Sequence, residues 1–124
     1  MITFYLIDTE NIPVKWVNDI NPNNGDVIFL FRLKDSQKNY ISLDDAVKIA
    51  NLNAKMYIIE CERGKPKMNA LDFQLISYLG YLVARNEDAL YIVYSNDTGF
   101  DPAIEYWKNR SIDVKRIGTD ENEK

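Results

Sequence analysis

The stretch ALYIVYSNDTGFDPAIEYW, residues 89–107, runs from an apolar strand through an acidic turn into a helix. Leu90 to Tyr94 carries the aromatic and β-branched residues of a covered strand. Asn96, Asp97 and Gly99 are turn residues, and Pro102 suits the first turn of a helix with Asp101 as its N-cap. A turn needs only one Asp or Asn beside its glycine. The second acid, four residues after Asp97, asks for a further reason.

The same strand-then-helix unit repeats outward in both directions. ITFYLID (2–8) and VIFLF (27–31) read as buried strands, and AKMYIIE (54–60), ALYIVYS (89–95) and DVKRI (113–117) read as the third, fourth and fifth strands. Between them, IPVKWVNDI (12–20) reads as a helix with Pro13 in its first turn. SLDDAVKIANL (42–52) reads as a helix capped by Ser42, with Leu43, Ala46, Val47 and Ala50 along one face. NALDFQLISYLGYLVARN (69–86) is the longest helix, with Leu71, Leu75, Ile76, Leu79, Leu82 and Val83 as its buried stripe. Such alternation predicts an α/β fold, a parallel sheet with helices on both faces. Residues 1–117 form one domain in this reading, and 118–124 a short polar tail.

In sheets of this kind the reactive edge lies outside the carboxyl ends of the strands. Four carboxylates arrive there: Asp8 after the first strand, Asp97 after the fourth, Asp101 at the next helix, and Asp72 in the first turn of the long helix. Counting along that helix, Asp72 shares a face with Leu75, Ile76 and Leu79, so its carboxylate points at the sheet rim. Unpartnered, four such acids would repel or take up protons. A hard divalent cation, Mg²⁺ or Mn²⁺, removes the conflict, and such an ion serves attack on a phosphodiester. Each residue also has a plainer use: Asp101 as an N-cap, Asp97 in an Asx turn, Asp8 as a turn acid. Asn11 fits either an orienting role or a helix cap. Glu10, one residue out of phase with Asp8 and Asn11, is expected to face solvent, and Ser95 and Thr98 are candidate supporting hydroxyls.

Composition narrows the chemistry. The chain has 124 residues, 46% hydrophobic and 27% charged, the balance of an ordinary globular domain. It contains no histidine, which removes His-based acid–base catalysis, Ser-His-Asp systems and His-containing zinc sites. No phosphate-cradling glycine loop is present. Cys61 is the lone cysteine, which suits a reducing cytoplasm. No apolar run approaches the roughly 20 residues of a membrane span, and the N-terminus lacks the pattern of a signal peptide. Net charge is −4, unusual for a nucleic-acid binder, although acids gathered around a cation bias the count the same way.

The ordered set DTEN (Asp8, Asn11), NALDFQL (Asp72) and SNDTGFD (Asp97, Asp101) resembles the PIN-like nucleases. Within them it resembles the NYN branch that includes the Regnase-type ribonucleases. The likeness spans nearly the whole chain. It implies a three-layer α/β/α sandwich with a mainly parallel five-stranded sheet. It further implies a Mg²⁺- or Mn²⁺-dependent ribonuclease, an endonuclease on single-stranded RNA. Metal coordination is carried onto Asp8, Asp72, Asp97 and Asp101, and an ordering role within the catalytic set onto Asn11. The chain departs from the pattern in three ways: Gly99 replaces an acid of the related S-G-D-S-D-F form, Asp72 stands without a paired acid, and the whole is acidic.

For the RNA partner, ERGKPKMN places Arg63, Lys65 and Lys67 on the loop into Asp72. FRLKDSQKNY adds Arg32, Lys34, Lys38 and Tyr40 at the same edge. Ordinary solvated loops are the plain alternative. A phosphate-accepting receiver would need an Asp after the third strand, where Glu60 and Glu62 stand. A haloacid-dehalogenase-type phosphatase would need D-x-D where DTEN stands. The remaining alternative is a catalytically degenerate fold that binds RNA or protein, with Trp16, Tyr78, Tyr81, Tyr94, Tyr106 and Trp107 available to build a homodimer or partner face.

Overall fold

A computed structural model gives the fold and describes residues 1–36, 41–65, 69–86 and 88–119. Five strands form one sheet: β1 (Thr3–Asp8), β2 (Val27–Leu33), β3 (Lys55–Cys61), β4 (Leu90–Tyr94) and β5 (Asp113–Ile117). Their order is β3-β2-β1-β4-β5, and every neighbouring pair is parallel. The chain steps outward from β1 through β2 to β3, then crosses back to β4 on the other side of β1. That reversal leaves a crevice between the carboxyl ends of β1 and β4, where open α/β sheets bind ligands.

Alternating side chains build a core on each face. On one face Phe4, Leu6, Phe29, Phe31, Tyr91 and Val93 pack against α2 (Ala70–Arg85) and α3 (Asp101–Lys108). Leu71, Leu75, Leu79, Leu82 and Val83 of α2 are buried there, the stripe its periodicity predicts, with Ile76 partly buried beside them. On the other face Tyr5, Ile7, Ile28, Ile92 and Tyr94 pack against Ile12, Trp16, Val17 and Ile20. The three-layer α/β/α arrangement expected from the sequence is the one observed. Among the described residues no helix is long and apolar enough to cross a membrane.

Two local expectations fail. The segment 12–20 is no α-helix; only Lys15–Asn18 turns, as a 3₁₀ helix. Its backbone bonds are of the tighter i→i+3 kind, Val17 N–H to Val14 O at 3.0 Å and Asp19 N–H to Trp16 O at 3.0 Å. The β-branched Val14 and Val17 disfavour α-helix, and Pro22 pushes the chain before it toward extended conformation. The indole N–H of Trp16 donates to Pro13 O at 3.2 Å, which closes the turn over a ring only 2% exposed.

α1 (Leu43–Ala50) is also turned away from the expected face. Ser42 caps it as predicted, accepting from Asp45 N–H at 3.1 Å. Leu43 and Val47, however, are 86% and 60% exposed, and Ile49 makes the core contact instead. Lys48 Nζ donates to Asn18 Oδ1 at 3.0 Å and fixes that rotation against the 3₁₀ turn.

Candidate metal centre

Asp8 ends β1, and the chain turns at once: Asn11 N–H and Ile12 N–H both donate to Asp8 O, at 3.1 and 2.8 Å. The turn folds two backbone donors back onto the side chain, Glu10 N–H and Asn11 N–H each reaching Asp8 Oδ1 at 3.2 Å. Across the crevice, the register that sets Ile7 beside Tyr94 brings Ser95 next to Asp8. Ser95 Oγ donates to Asp8 Oδ2 at 3.0 Å and accepts Asp97 N–H at 3.1 Å. One fully buried hydroxyl therefore joins the two acidic turns. Burial raises the Asp8 carboxyl above the ordinary carboxylate range, against the lowering effect of these donors.

Asp97 caps the 3₁₀ turn Thr98–Phe100, accepting Gly99 N–H on Oδ1 at 2.8 Å. Asp72, half-buried in the first turn of α2, faces it from the third side. Burial and a hydrogen bond with Asp97, then the charges of Asp8 and Asp97, push the Asp72 carboxyl up to about 6. Asn11 closes the rim: its Oδ1 accepts Asn96 N–H at 2.7 Å and staples the β1 turn to the β4 turn. Asn96 is itself held by Thr119, and it packs so closely on Gly118 that a Cβ there would collide with its Oδ1.

A pocket of about 240 Å³ opens onto this rim, walled by Asp8, Glu10, Asn11, Leu33, Asn69, Ala70, Leu71, Asp72 and Asp97. Three of the four predicted acids meet there, with Asn11. Asp101 does not join that wall. It is the first residue of α3 and not its N-cap, which is Phe100 without a side-chain bond. The Arg116 guanidinium on β5 grips its carboxylate, Nε to Oδ1 at 2.7 Å and a terminal nitrogen to Oδ2 at 3.4 Å, and holds the carboxyl below its ordinary range.

Glu10 departs from expectation the other way. It lines the pocket, half-buried, with Oε2 accepting Leu33 N–H at 3.4 Å. The phase count that sent it outward holds only for a regular backbone, and the backbone turns straight after Asp8. The signal available in the sequence was D-x-E directly before a turn.

The basic residues divide. Arg63 donates twice to Lys34 O, at 3.2 and 2.7 Å, and ties together the loops after β2 and β3. Lys34 pairs with Glu62 at 2.7 Å and Arg32 with Glu60 at 3.1 Å, so neighbouring acids offset both charges. Arg32 also points to the α1 face, away from the acids. Lys65 is exposed, while Lys67, Lys38 and Tyr40 lie outside the described residues.

The donors fit a hard cation: carboxylate oxygens, with an amide and a hydroxyl bracing them. Below about pH 6 the raised Asp72 carboxyl carries a proton that a divalent ion would displace. Among the described residues no three acid or thiol side chains stand close enough to hold an ion as placed. An ion would have to draw Asp8 toward the Asp72–Asp97 pair. Metal binding must then expel the Asp72 proton. Because folding raises this carboxyl, the metal-free fold gains stability as pH falls through about 6, and the unrelieved repulsion is fully expressed above it. Mn²⁺ affinity should therefore weaken by up to about tenfold for each pH unit that the solution falls below 6, and be level above about 7. Titrations from pH 5 to 8 check this, and an affinity flat across that range would remove Asp72 from the site.

The PIN-domain family model matches residues 2–117 of the chain. No curated protein and no solved structure matches it.

Proposed function

The chain belongs to the PIN-domain family, whose members are generally metal-dependent nucleases acting on RNA, and from that premise we propose that it is a Mg²⁺- or Mn²⁺-dependent ribonuclease. The observation that carries this reading is the convergence of Asp8, Asp72 and Asp97, from three separate segments, on one pocket at the crevice between β1 and β4. Repulsion kept at the ligand edge of a sheet is wasted stability unless a cation uses it. Asp8, Asp72 and Asp97 would hold that ion. When bound, it supplies Lewis-acid stabilisation of phosphodiester charge and a more acidic water.

The chain's other residues position this set. Ser95 fixes the spacing of the Asp8 and Asp97 turns, and Asn11 locks the rim. The shallow, open crevice favours an endonuclease on single-stranded RNA, which can enter without threading an end. Asp8 with Asn11, and Asp97 with its turn, support placement in the NYN branch. Lys65 and Lys67, which precede Asp72 in the sequence, are proposed to meet phosphates.

The test is cleavage of an unstructured RNA by purified protein. We expect cutting with Mn²⁺ or Mg²⁺ and none with excess EDTA. A second reading, a silent scaffold for protein or RNA, draws on the exposed apolar Ile41, Leu43 and Val47 around α1. Clean protein that neither cuts RNA nor binds Mn²⁺ would favour it.

A further inference from the structure

We propose that the exposed face of α2 is a track for single-stranded RNA, with bases stacked on Phe73 and Tyr81 and phosphates met by Lys55 and Arg85. The inference rests on the ribonuclease reading above and places the nucleotides that flank the cut. Phe73, Ser77, Tyr81 and Arg85 recur every four residues, so they form one stripe that slants toward β3 as it leaves the crevice. Phe73 follows Asp72 directly and is 65% exposed. Tyr81 is 53% exposed two turns on, about 12 Å along the axis. Between them Ser77 turns its hydroxyl back to Phe73 O at 2.8 Å, which leaves a low floor. Aromatic packing holds the platform in place. The Tyr81 ring lies 5.7 Å from Tyr78, and Tyr78 meets Phe29 edge-on at 5.1 Å. Phe29 in turn stacks on the exposed Tyr57 at 5.7 Å. The Arg85 guanidinium stands 5.3 Å from the centre of the Tyr81 ring.

Charge decides what this face would take. Arg32, Lys34, Lys108 and Arg116 each pair with an acid, whereas among the described residues Lys55 and Arg85 have no acidic partner. From Phe73 to Arg85 the helix carries no acid, and neither do Lys55, Tyr57 and Ile59, which alternate onto the same side of the sheet. In a chain with 19 acids and a net charge of −4, this is a surface of uncompensated positive charge. Asp88 stands past Arg85, in the pocket at the far end of the helix, and marks where the track stops. A second copy docked on this surface by two-fold symmetry would set like cations against each other. A phosphate chain meets them favourably, and every base has a π-face for the exposed rings.

The experiment is fluorescence-polarisation binding of a labelled oligouridylate of about twelve nucleotides, in EDTA so that nothing is cut, with thermal melts alongside. Tyr81→Ala is expected to weaken binding about tenfold, the loss of one stacked base, while Tyr81→Phe, which keeps the ring, stays within about twofold. Leu43→Ala, an exposed apolar residue on the other face of the sheet, should also stay within about twofold. The double variant Lys55→Gln, Arg85→Gln should flatten the slope of log affinity against log salt by about 1.4, the share of two phosphates on a single strand. All four side chains are exposed, so each variant should melt like wild type. Tyr81→Ala binding like wild type, or an unchanged salt slope, would overturn the inference, as would a wild type that binds no RNA. A wild-type dimer in sedimentation that Tyr81→Ala dissociates would assign the face to a second copy and overturn it too. Binding that Tyr81→Ala weakens, in a protein that cuts nothing with Mn²⁺, would keep the track and remove the ribonuclease reading instead.

Discussion

Asp97→Asn is expected to lower Mn²⁺-dependent RNA cleavage by roughly 10²–10³-fold while the domain stays folded. The substitution keeps the side chain's shape and an acceptor oxygen, so the bond from Gly99 N–H at 2.8 Å and the turn it caps survive. The new amide can donate to Asp72, whose carboxyl is raised by burial first and by neighbouring Asp97 second. The variant should therefore melt no lower than wild type near neutral pH, and Asp72 should titrate closer to the ordinary range. A charge central to metal binding is lost, and stability is kept or gained. Purely structural acids behave the other way, since removing one leaves its donors unsatisfied. Single-turnover cleavage with parallel melts separates the two, and undiminished cleavage would take Asp97 out of the chemistry.

Trp16→Ala should cost about 3–5 kcal/mol, the range for truncating a large buried ring. The ring is 2% exposed and plugs the face of the sheet that no long helix covers. Domains of this size have about 5–15 kcal/mol in total, so the variant should be barely folded at 37 °C. Leu43→Ala, on the exposed side of α1, should stay within about 0.5 kcal/mol. Urea melts of the two variants check the contrast. Equal losses would mean that α1 docks by its Leu43–Val47 stripe after all.

That pair of substitutions marks where the sequence could and could not be read. The strands and α2 were legible because their apolar spacing has a single explanation. β1 and β4 are apolar throughout because both faces are covered, and α2 shows a full stripe because one face is. α1 has two partly apolar sides, and periodicity does not say which will meet the sheet. That choice fell to Ile49 and to the Lys48–Asn18 bond, a contact across 30 positions. The segment before β2 looked helical by composition, but Trp16 closing onto Pro13 O made a tighter turn.

In the site, Asp8, Asp72 and Asp97 followed from topology alone: each ends a strand or starts a helix at one edge. Asp101 satisfied the same rule yet was claimed by Arg116, fifteen residues on in a strand that reads as DVKRI. Glu10 was assigned outward by its phase relative to Asp8 and Asn11, a count that fails where the backbone turns after Asp8. Long-range pairing and the last residue of a strand are what local pattern fails to supply.

A ribonuclease of this kind requires the acids at the β1–β4 crevice to share an ion. Crystals soaked in Mn²⁺ and measured at the manganese edge report this directly. An anomalous peak within about 2.5 Å of oxygens from Asp8, Asp72 and Asp97 is the predicted result. A saturating soak with no peak in that crevice would contradict it.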